Sequence, residues 1–169
     1  LLMIPVMHRI AGERLPGVLH VASRTVGTHA LSIFGDHSDV MNCRQTGFAL
    51  LSTANSQEIM DLAPVAHLAA VKGRIPFLHF FDGFRTSHEE SRLTRIDDDV
   101  LREMIPESLV LENRARGMTP DKPTIRGTAQ NPDVYFQGRE AANPLYEKTP
   151  EIVQEMMDKF AKLTGRKYN

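Results

Sequence analysis

Cysteine occurs only once, at Cys43. A single thiol excludes an internal disulfide and any metal centre built from several thiolates of this chain. An excess of charge is missing too: 20 lysines and arginines stand against 21 aspartates and glutamates, a formal net charge of −1. Binding to nucleic acid or to a membrane surface generally needs a one-sided basic field, so neither is expected. No apolar run approaches the ~20 residues that cross a bilayer. Glycine-rich phosphate loops are absent, since neither GxGxxG nor GxxxxGK[ST] occurs, and neither does the zinc-binding HExxH pattern. Internal repeats and low-complexity tracts are lacking as well. At 169 residues the chain is long enough for one domain with a real core, and it reads as soluble and cytoplasmic. It begins at Leu1, in the apolar segment LLMIPVMHRI and without a basic leader, which is expected of a piece excised from a longer polypeptide.

What is there alternates in type. Leu1 to Gly12 reads as the end of a helix stopped by Gly12, with Pro5 near its start. Val18 to Val21 is an apolar run too short for a helix and bounded by Pro16-Gly17, hence a buried strand. Ser38 or Asp39 caps a short helix reaching Arg44, and Gly47 to Ser52 is a second strand. Asn55 or Ser56 then caps a helix through Lys72 that stops at Gly73, with Glu58 and Asp61 in its first turns and a kink expected at Pro64. Ile75 to Phe81 is a third strand, near-continuously apolar as in parallel sheets covered on both faces. Asp97 to Ile105 and Pro106 to Arg116 read as short helices. Gly117 to Pro144 shows no periodicity and reads as an extended arm packed on another surface. Thr149-Pro150-Glu151 starts a last amphipathic helix that ends at Gly165. Strand, helix, strand with short connections predicts an α/β fold with a mostly parallel sheet flanked by helices. The division expected is an α/β core over 1–116, lacking its N-terminal part, and an arm with a C-terminal helix over 117–169.

Candidate chemistry gathers past the strand ends, where open α/β sheets bind ligands. Arg24 follows the first strand beside Ser23, Thr25, Gly27 and Thr28. A guanidinium fork there suits a planar anion such as a carboxylate; the plainer alternative is a structural ion pair. His29, Asp36, His37 and Asp39 could suggest a metal, but their spacing matches no ligand pattern, so a polar turn is expected. His79 lies within an apolar strand and is expected to be a hydrogen-bonded core residue. Asp82, His88 and Glu89 are read with the same caution as regards a metal, whereas Arg85, Thr86, Ser87 and His88 sit past a strand end, where a role near a cofactor or a partner domain is the alternative. Cys43 has Arg44 beside it, yet no histidine–carboxylate arrangement that would make it a nucleophile.

Three long stretches carry a resemblance: GERLPGVLHVASRTVGTHALSIFGDHSDVMNCRQTGFALL, VAHLAAVKGRIPFLHFFDGFRTSHE and RGTAQNPDVYFQGREAANP. In order and spacing they resemble pyruvate:ferredoxin (flavodoxin) oxidoreductases, over the later part of the first domain, which holds the pyrimidine ring of thiamine diphosphate. The resemblance implies that the parent enzyme oxidatively decarboxylates pyruvate to acetyl-CoA and passes electrons to ferredoxin or flavodoxin. It implies thiamine diphosphate, Mg²⁺ and [4Fe-4S] clusters bound mainly outside this chain, with the remaining domains of the enzyme, coenzyme A and a second subunit as partners. His20-Val21-Ala22-Ser23-Arg24 matches the family's HVxxR motif, which makes Arg24 the contact for the pyruvate carboxylate, with Thr25 and Thr28 as weaker neighbours. The glutamate that polarises the aminopyrimidine would precede Leu1. No catalytic residue is assigned within the chain, and it is not expected to turn over alone. A related 2-oxoacid oxidoreductase and a non-catalytic interaction module that docks through Gly117 to Pro144 remain the alternatives.

Overall fold

The computed structural model describes all residues from Leu1 to Asn169. Nine helices surround three strands: α1 (Ile4–Gly12), β1 (Val18–Ser23), α2 (Ser38–Met41), β2 (Ala49–Ser52), α3 (Ser56–Gly73), β3 (Phe77–Asp82), α4 (Arg85–His88), α5 (Asp98–Met104), α6 (Glu107–Ala115), α7 (Pro132–Glu140), α8 (Asn143–Glu147) and α9 (Thr149–Thr164). The sheet order is β1-β3-β2, and both pairings are parallel, with Val18 and Ala49 each opposite Phe77. The expected α/β fold with a parallel sheet is therefore observed.

Strand β3 lies in the middle because its sequence suits burial on two faces. Phe77 joins Leu62, Val65, Ala66 and Ala69 of α3 and Met156, Met157 and Phe160 of α9 in the larger core. Leu78 and Phe80 point the other way, into a smaller core with Met7 and Ala11 of α1, Val40 and Phe48. Alternation along a strand sends successive side chains to opposite faces, and full burial of each such phenylalanine or leucine stabilises by about 1.5–3 kcal/mol.

Local signals account for the helix bounds. Asn55 accepts from the Glu58 N–H at 3.0 Å while the Glu58 carboxylate accepts from the Ala54 N–H at 2.7 Å, a reciprocal cap that opens α3. Pro64 stands inside α3, which continues across it to Gly73. The left-handed residue that ends α3 is Arg74, at φ 57°, rather than Gly73; at α1 it is Arg14, at φ 54°, rather than Gly12. Gly165, at φ 75°, does cap α9 as its sequence predicts. Strand bounds shift by one or two residues: β1 runs on to Ser23, β2 begins at Ala49 because Gly47 adopts φ 90°, and β3 begins after Pro76.

The segment Gly117 to Pro144 departs from expectation. It holds α7 and the start of α8, because Pro132 and Pro144 each sit in a first helical turn, where a missing N–H costs nothing. Every residue from Asp121 to Ala141 is exposed, so α7 has no buried stripe that the sequence pattern could have revealed.

A buried charge ties the C-terminus to α3. Asp61, fully buried, accepts from Arg166 Nε at 2.7 Å and Nη2 at 2.9 Å, from the Tyr168 hydroxyl at 2.7 Å and from Gln57 Nε2 at 3.0 Å. Four donors offset the cost of burying the carboxylate. Burial, followed by the bond to Asp61, pushes the Tyr168 hydroxyl up to about 12, and the Asp61 bond raises Arg166.

Candidate functional site

Strands β1 and β3 end side by side, with Ser23 opposite Asp82. The chain leaves β1 through Arg24 and leaves β3 through Gly83, and the two residues are in close contact. A Cβ on Gly83 would stand 2.2 Å from the Ser23 carbonyl oxygen, 2.7 Å from Arg24 Nε and 2.9 Å from Arg24 Cδ. Only glycine lets the Arg24 side chain lie over the end of β3. Arg24 is exposed, and no carboxylate pairs with its guanidinium. The structural ion pair, the plainer alternative for Arg24, is therefore not formed.

The acidic residues nearby are used by the backbone. Asp39 accepts from the Arg24 N–H at 2.9 Å and from its neighbour Val40 N–H at 2.7 Å. Asp82 accepts from the N–H groups of Arg85 at 2.6 Å, Thr86 at 3.2 Å and Phe84 at 3.4 Å. Burial alone would raise the Asp82 carboxyl, but these three donors outweigh it and hold the pKa below the ordinary value. Asp36 accepts from the Ser38 N–H at 2.8 Å, and the hydroxyl and N–H of Ser38 keep its carboxyl low. The Ser23 hydroxyl donates to the Phe81 carbonyl at 2.9 Å and meets His37 Nδ1. Thus Asp36, His37 and Asp39 form the polar turn that the sequence suggests.

The other residues singled out sit as follows. The Thr25 hydroxyl accepts from the Asp36 N–H at 3.1 Å, which holds Thr25 beside Arg24. Thr28 is exposed, bonded through its hydroxyl to His29 Nδ1 at 3.2 Å, and the structure shows no bond between it and Arg24. Arg85, Thr86, Ser87 and His88 form α4; His88 Nδ1 lies 2.8 Å from the Ser87 hydroxyl and 3.0 Å from the Phe84 carbonyl. Glu89 caps that turn through its N–H. Cys43 is buried and donates weakly to the Asp39 carbonyl at 3.5 Å.

His79 is a core residue with an unexpected neighbourhood. Its Nδ1 lies 2.8 Å from His20 Nδ1, and His20 Nε2 lies 3.1 Å from His67 Nε2. The other nitrogen, His79 Nε2, is buried without a partner. Burial first, then the charges that His20 and His67 would carry, push His79 down to about 4. Burial also lowers His20 and His67. Burial thus favours the neutral form of all three rings. They use one another's nitrogens in a linear relay rather than converging on a point. Sequence reading overlooked His67, which lies 47 positions beyond His20, and it overlooked Gly83, whose only sequence signal is the Asp-Gly step after an apolar strand.

The donor set bears on a diphosphate cofactor. A diphosphate with its divalent cation needs free carboxylates and converging N–H groups. At the strand ends, Asp36, Asp39 and Asp82 are already committed to backbone donors, and no group of three histidines, cysteines or carboxylates is placed to hold a metal ion. The diphosphate and divalent cation of such a cofactor do not fit the residues at these strand ends. No helix is long and apolar enough to cross a membrane.

Comparison of the sequence with known proteins places the chain in a family. The family model described as "Pyruvate flavodoxin/ferredoxin oxidoreductase, thiamine diP-bdg" matches residues 1–158. The pyruvate-flavodoxin oxidoreductase of Rhodospirillum rubrum is 61% identical over 168 residues, covering 99% of this chain and 14% of the relative. The pyruvate:ferredoxin oxidoreductase of Moorella thermoacetica is 59% identical over 169 residues, covering 100% of this chain and 14% of the relative. A probable pyruvate-flavodoxin oxidoreductase of Escherichia coli is 54% identical over 168 residues. The chain spans about one-seventh of the length of these relatives. It belongs to the pyruvate flavodoxin/ferredoxin oxidoreductase family, within the thiamine diphosphate-binding domain.

Proposed function

We propose that the polypeptide containing this chain oxidises pyruvate and coenzyme A to acetyl-CoA and CO₂, passing electrons to ferredoxin or flavodoxin, and that Arg24 receives the pyruvate carboxylate. The observation that carries this reading is the unpaired Arg24 guanidinium over Gly83 at the carboxyl end of β1, in a chain 61% identical to a pyruvate-flavodoxin oxidoreductase. A 2-oxo acid has to be held by its carboxylate so that its carbonyl faces the reacting centre, and a guanidinium fork offers two parallel charged hydrogen bonds. Together these bonds contribute on the order of 1.5–3 kcal/mol.

The protein's own part in this scheme is orientation. Asp39 fixes the Arg24 backbone, Gly83 leaves room for its side chain, and Thr25 supports the turn beside it. Thr25 and Thr28 are the further substrate neighbours we propose. Thiamine diphosphate, when bound, supplies the carbanion-stabilising chemistry; its diphosphate and Mg²⁺, the [4Fe-4S] clusters and the second subunit of a dimer belong elsewhere in the parent enzyme. The division of the chain at residue 116, into core and arm, belongs to the same reading.

Turnover by the full-length polypeptide tests it. Purified anaerobically, it is expected to reduce ferredoxin or flavodoxin only when both pyruvate and coenzyme A are present, with one acetyl-CoA formed per pyruvate consumed. A clear preference for 2-oxoglutarate or a branched 2-oxo acid would transfer the reading to a sister 2-oxoacid oxidoreductase. Absence of turnover with every 2-oxo acid would leave the interaction-module alternative.

A further inference from the structure

A different charge pattern occupies the amino ends of the strands, about 20 Å from Arg24 along the six residues of β1. A cleft of about 290 Å³ there is lined by Arg14, Arg74, Arg114, Arg116 and Arg126, with Asn113 beside them. Helices α1, α3 and α6 all end at this cleft, at Gly12, Gly73 and Ala115. Helix C-termini attract cations, so some arginine is expected on that ground alone. Magnitudes show that this is not enough. Each terminus carries roughly half a negative charge, so three of them offset about one and a half positive charges. Of the nearby carboxylates, Glu13 is paired with Arg9 and Glu112 with Arg116. Arg14, Arg74, Arg114 and Arg126 have no carboxylate partner. More than two positive charges remain unmatched.

The cleft is also built at a conformational cost. Arg14 and Arg74 both adopt left-handed backbone, at φ 54° and φ 57°, where a glycine would be unstrained and an arginine is not. Each closes its helix with an N–H bond, Arg14 to the Ala11 carbonyl at 3.0 Å and Arg74 to the Ala70 carbonyl at 2.9 Å, a task glycine performs equally well. Arg126 is held in place by its own bond to the Arg116 carbonyl at 2.5 Å. The next residue, Gly127 at φ 66°, lies so close to Arg9 that a Cβ would meet its guanidinium. Crowded cations lower one another's pKa: burial, then Arg14 and Arg116, bring Arg74 down from its ordinary value.

We infer that this cleft binds the phosphate groups of a small molecule, of the diphosphate class. A single carboxylate would leave positive charge over, whereas a diphosphate matches it and offers the paired oxygens that guanidinium forks bind. A nucleic-acid strand suits the site less well, because the chain as a whole has a net charge of −1. The inference is independent of the reaction at the opposite end of β1, and its readout is binding rather than turnover.

The test is a calorimetric titration of the full-length polypeptide, saturated beforehand with thiamine diphosphate so that its own diphosphate site is filled. The probes are inorganic diphosphate and then ADP. The wild type is expected to show saturable diphosphate binding that weakens several-fold between 50 and 200 mM salt. The R114Q/R126Q double variant, altered only at exposed side chains, is expected to bind at least tenfold more weakly, and R24Q is expected to match the wild type. Equal affinity for ADP and diphosphate assigns the site to diphosphate itself; tighter ADP binding assigns it to the phosphorylated end of a larger molecule. Indistinguishable titrations of wild type and double variant would overturn the inference. So would a wild type that takes up no diphosphate because acidic side chains of the parent polypeptide already fill the cleft.

Discussion

The two ends of this parallel sheet are charged by the same physics, and one residue runs against it. Helices α1 and α3 deliver their C-termini to the amino ends of β1 and β3, and the residues that follow are Arg14 and Arg74. At the carboxyl ends, exposed N–H groups predominate, and they are taken up by Asp36, Asp39 and Asp82. Cations gather where carbonyls end helices, and anions where N–H groups begin them. Arg24 breaks the pattern, as a cation at the anion-rich end that no carboxylate neutralises. Arg85 lies at that end too, but as the first residue of an exposed turn, without a close-packed glycine to seat its side chain. The contrast separates arginines that helix C-termini attract, in excess at the amino end, from an arginine at the carboxyl end that no helix C-terminus attracts.

The comparison assumes that α3 is a fixed spindle between the two ends, and the largest predicted effect breaks it. Arg166→Met should leave Asp61 buried with its charge only partly compensated, at a cost of about 3–5 kcal/mol. Hydrogen exchange in the full-length polypeptide should then show faster exchange along α3 and α9, at both ends of the sheet. Unchanged protection would mean that Tyr168 and Gln57 suffice for Asp61.

Acid should loosen the middle of the sheet rather than either end. His79 titrates near 4 in the folded chain, against an ordinary 6.5. Above 6.5 both folded and opened states are neutral at this ring, and the stability it allows is fully present. As pH falls below 6.5 the opened state takes up a proton that the folded state refuses until about 4. Protection is therefore lost across that window, by up to roughly 3 kcal/mol. Exchange at β1 and β3 amides, corrected for intrinsic pH dependence, should show this slope, and His79→Phe should flatten it.

Gly83→Ala sharpens the distinction at the carboxyl end. The new methyl would press on the Ser23 carbonyl and on Arg24, costing about 1–3 kcal/mol and raising the pyruvate KM several-fold through Arg24. A normal KM would show that Arg24 needs no such seat. The smallest effect belongs to the amino end: Arg74→Gly relieves left-handed strain and should stabilise the α3 terminus by up to about 1 kcal/mol, as seen in exchange at Gly73 and Arg74. A loss of stability instead would mean that the guanidinium holds the helix end together.

Much of the fold was legible from the chain. Asn55 with Glu58, the apolar run into Phe81 and Gly165 after an amphipathic stretch each act locally, so their elements appear where the pattern puts them. The place of Arg24 was legible because the short apolar strand and the residue that follows it lie within one stretch. Helix α7 was not, since an exposed helix leaves no apolar periodicity and its only sign is Pro132 after Asn131. The His20–His67–His79 relay and the arginine cleft were hidden for another reason. Their members come from segments tens of residues apart, and only the pairing of β1 with β3 and the convergence of three helix ends bring them together. Left-handed Arg14 and Arg74 were masked by the glycines one or two positions earlier, which looked like the stops.

The central claim is that Arg24 receives the substrate carboxylate, and steady-state kinetics of Arg24→Gln in the full-length enzyme test it most directly. The account predicts a pyruvate KM raised roughly ten- to a hundredfold, from the loss of charged hydrogen bonds, with the KM for coenzyme A unchanged. Unchanged KM and kcat for pyruvate would remove Arg24 from the site and leave the unpaired guanidinium at the end of β1 without a function.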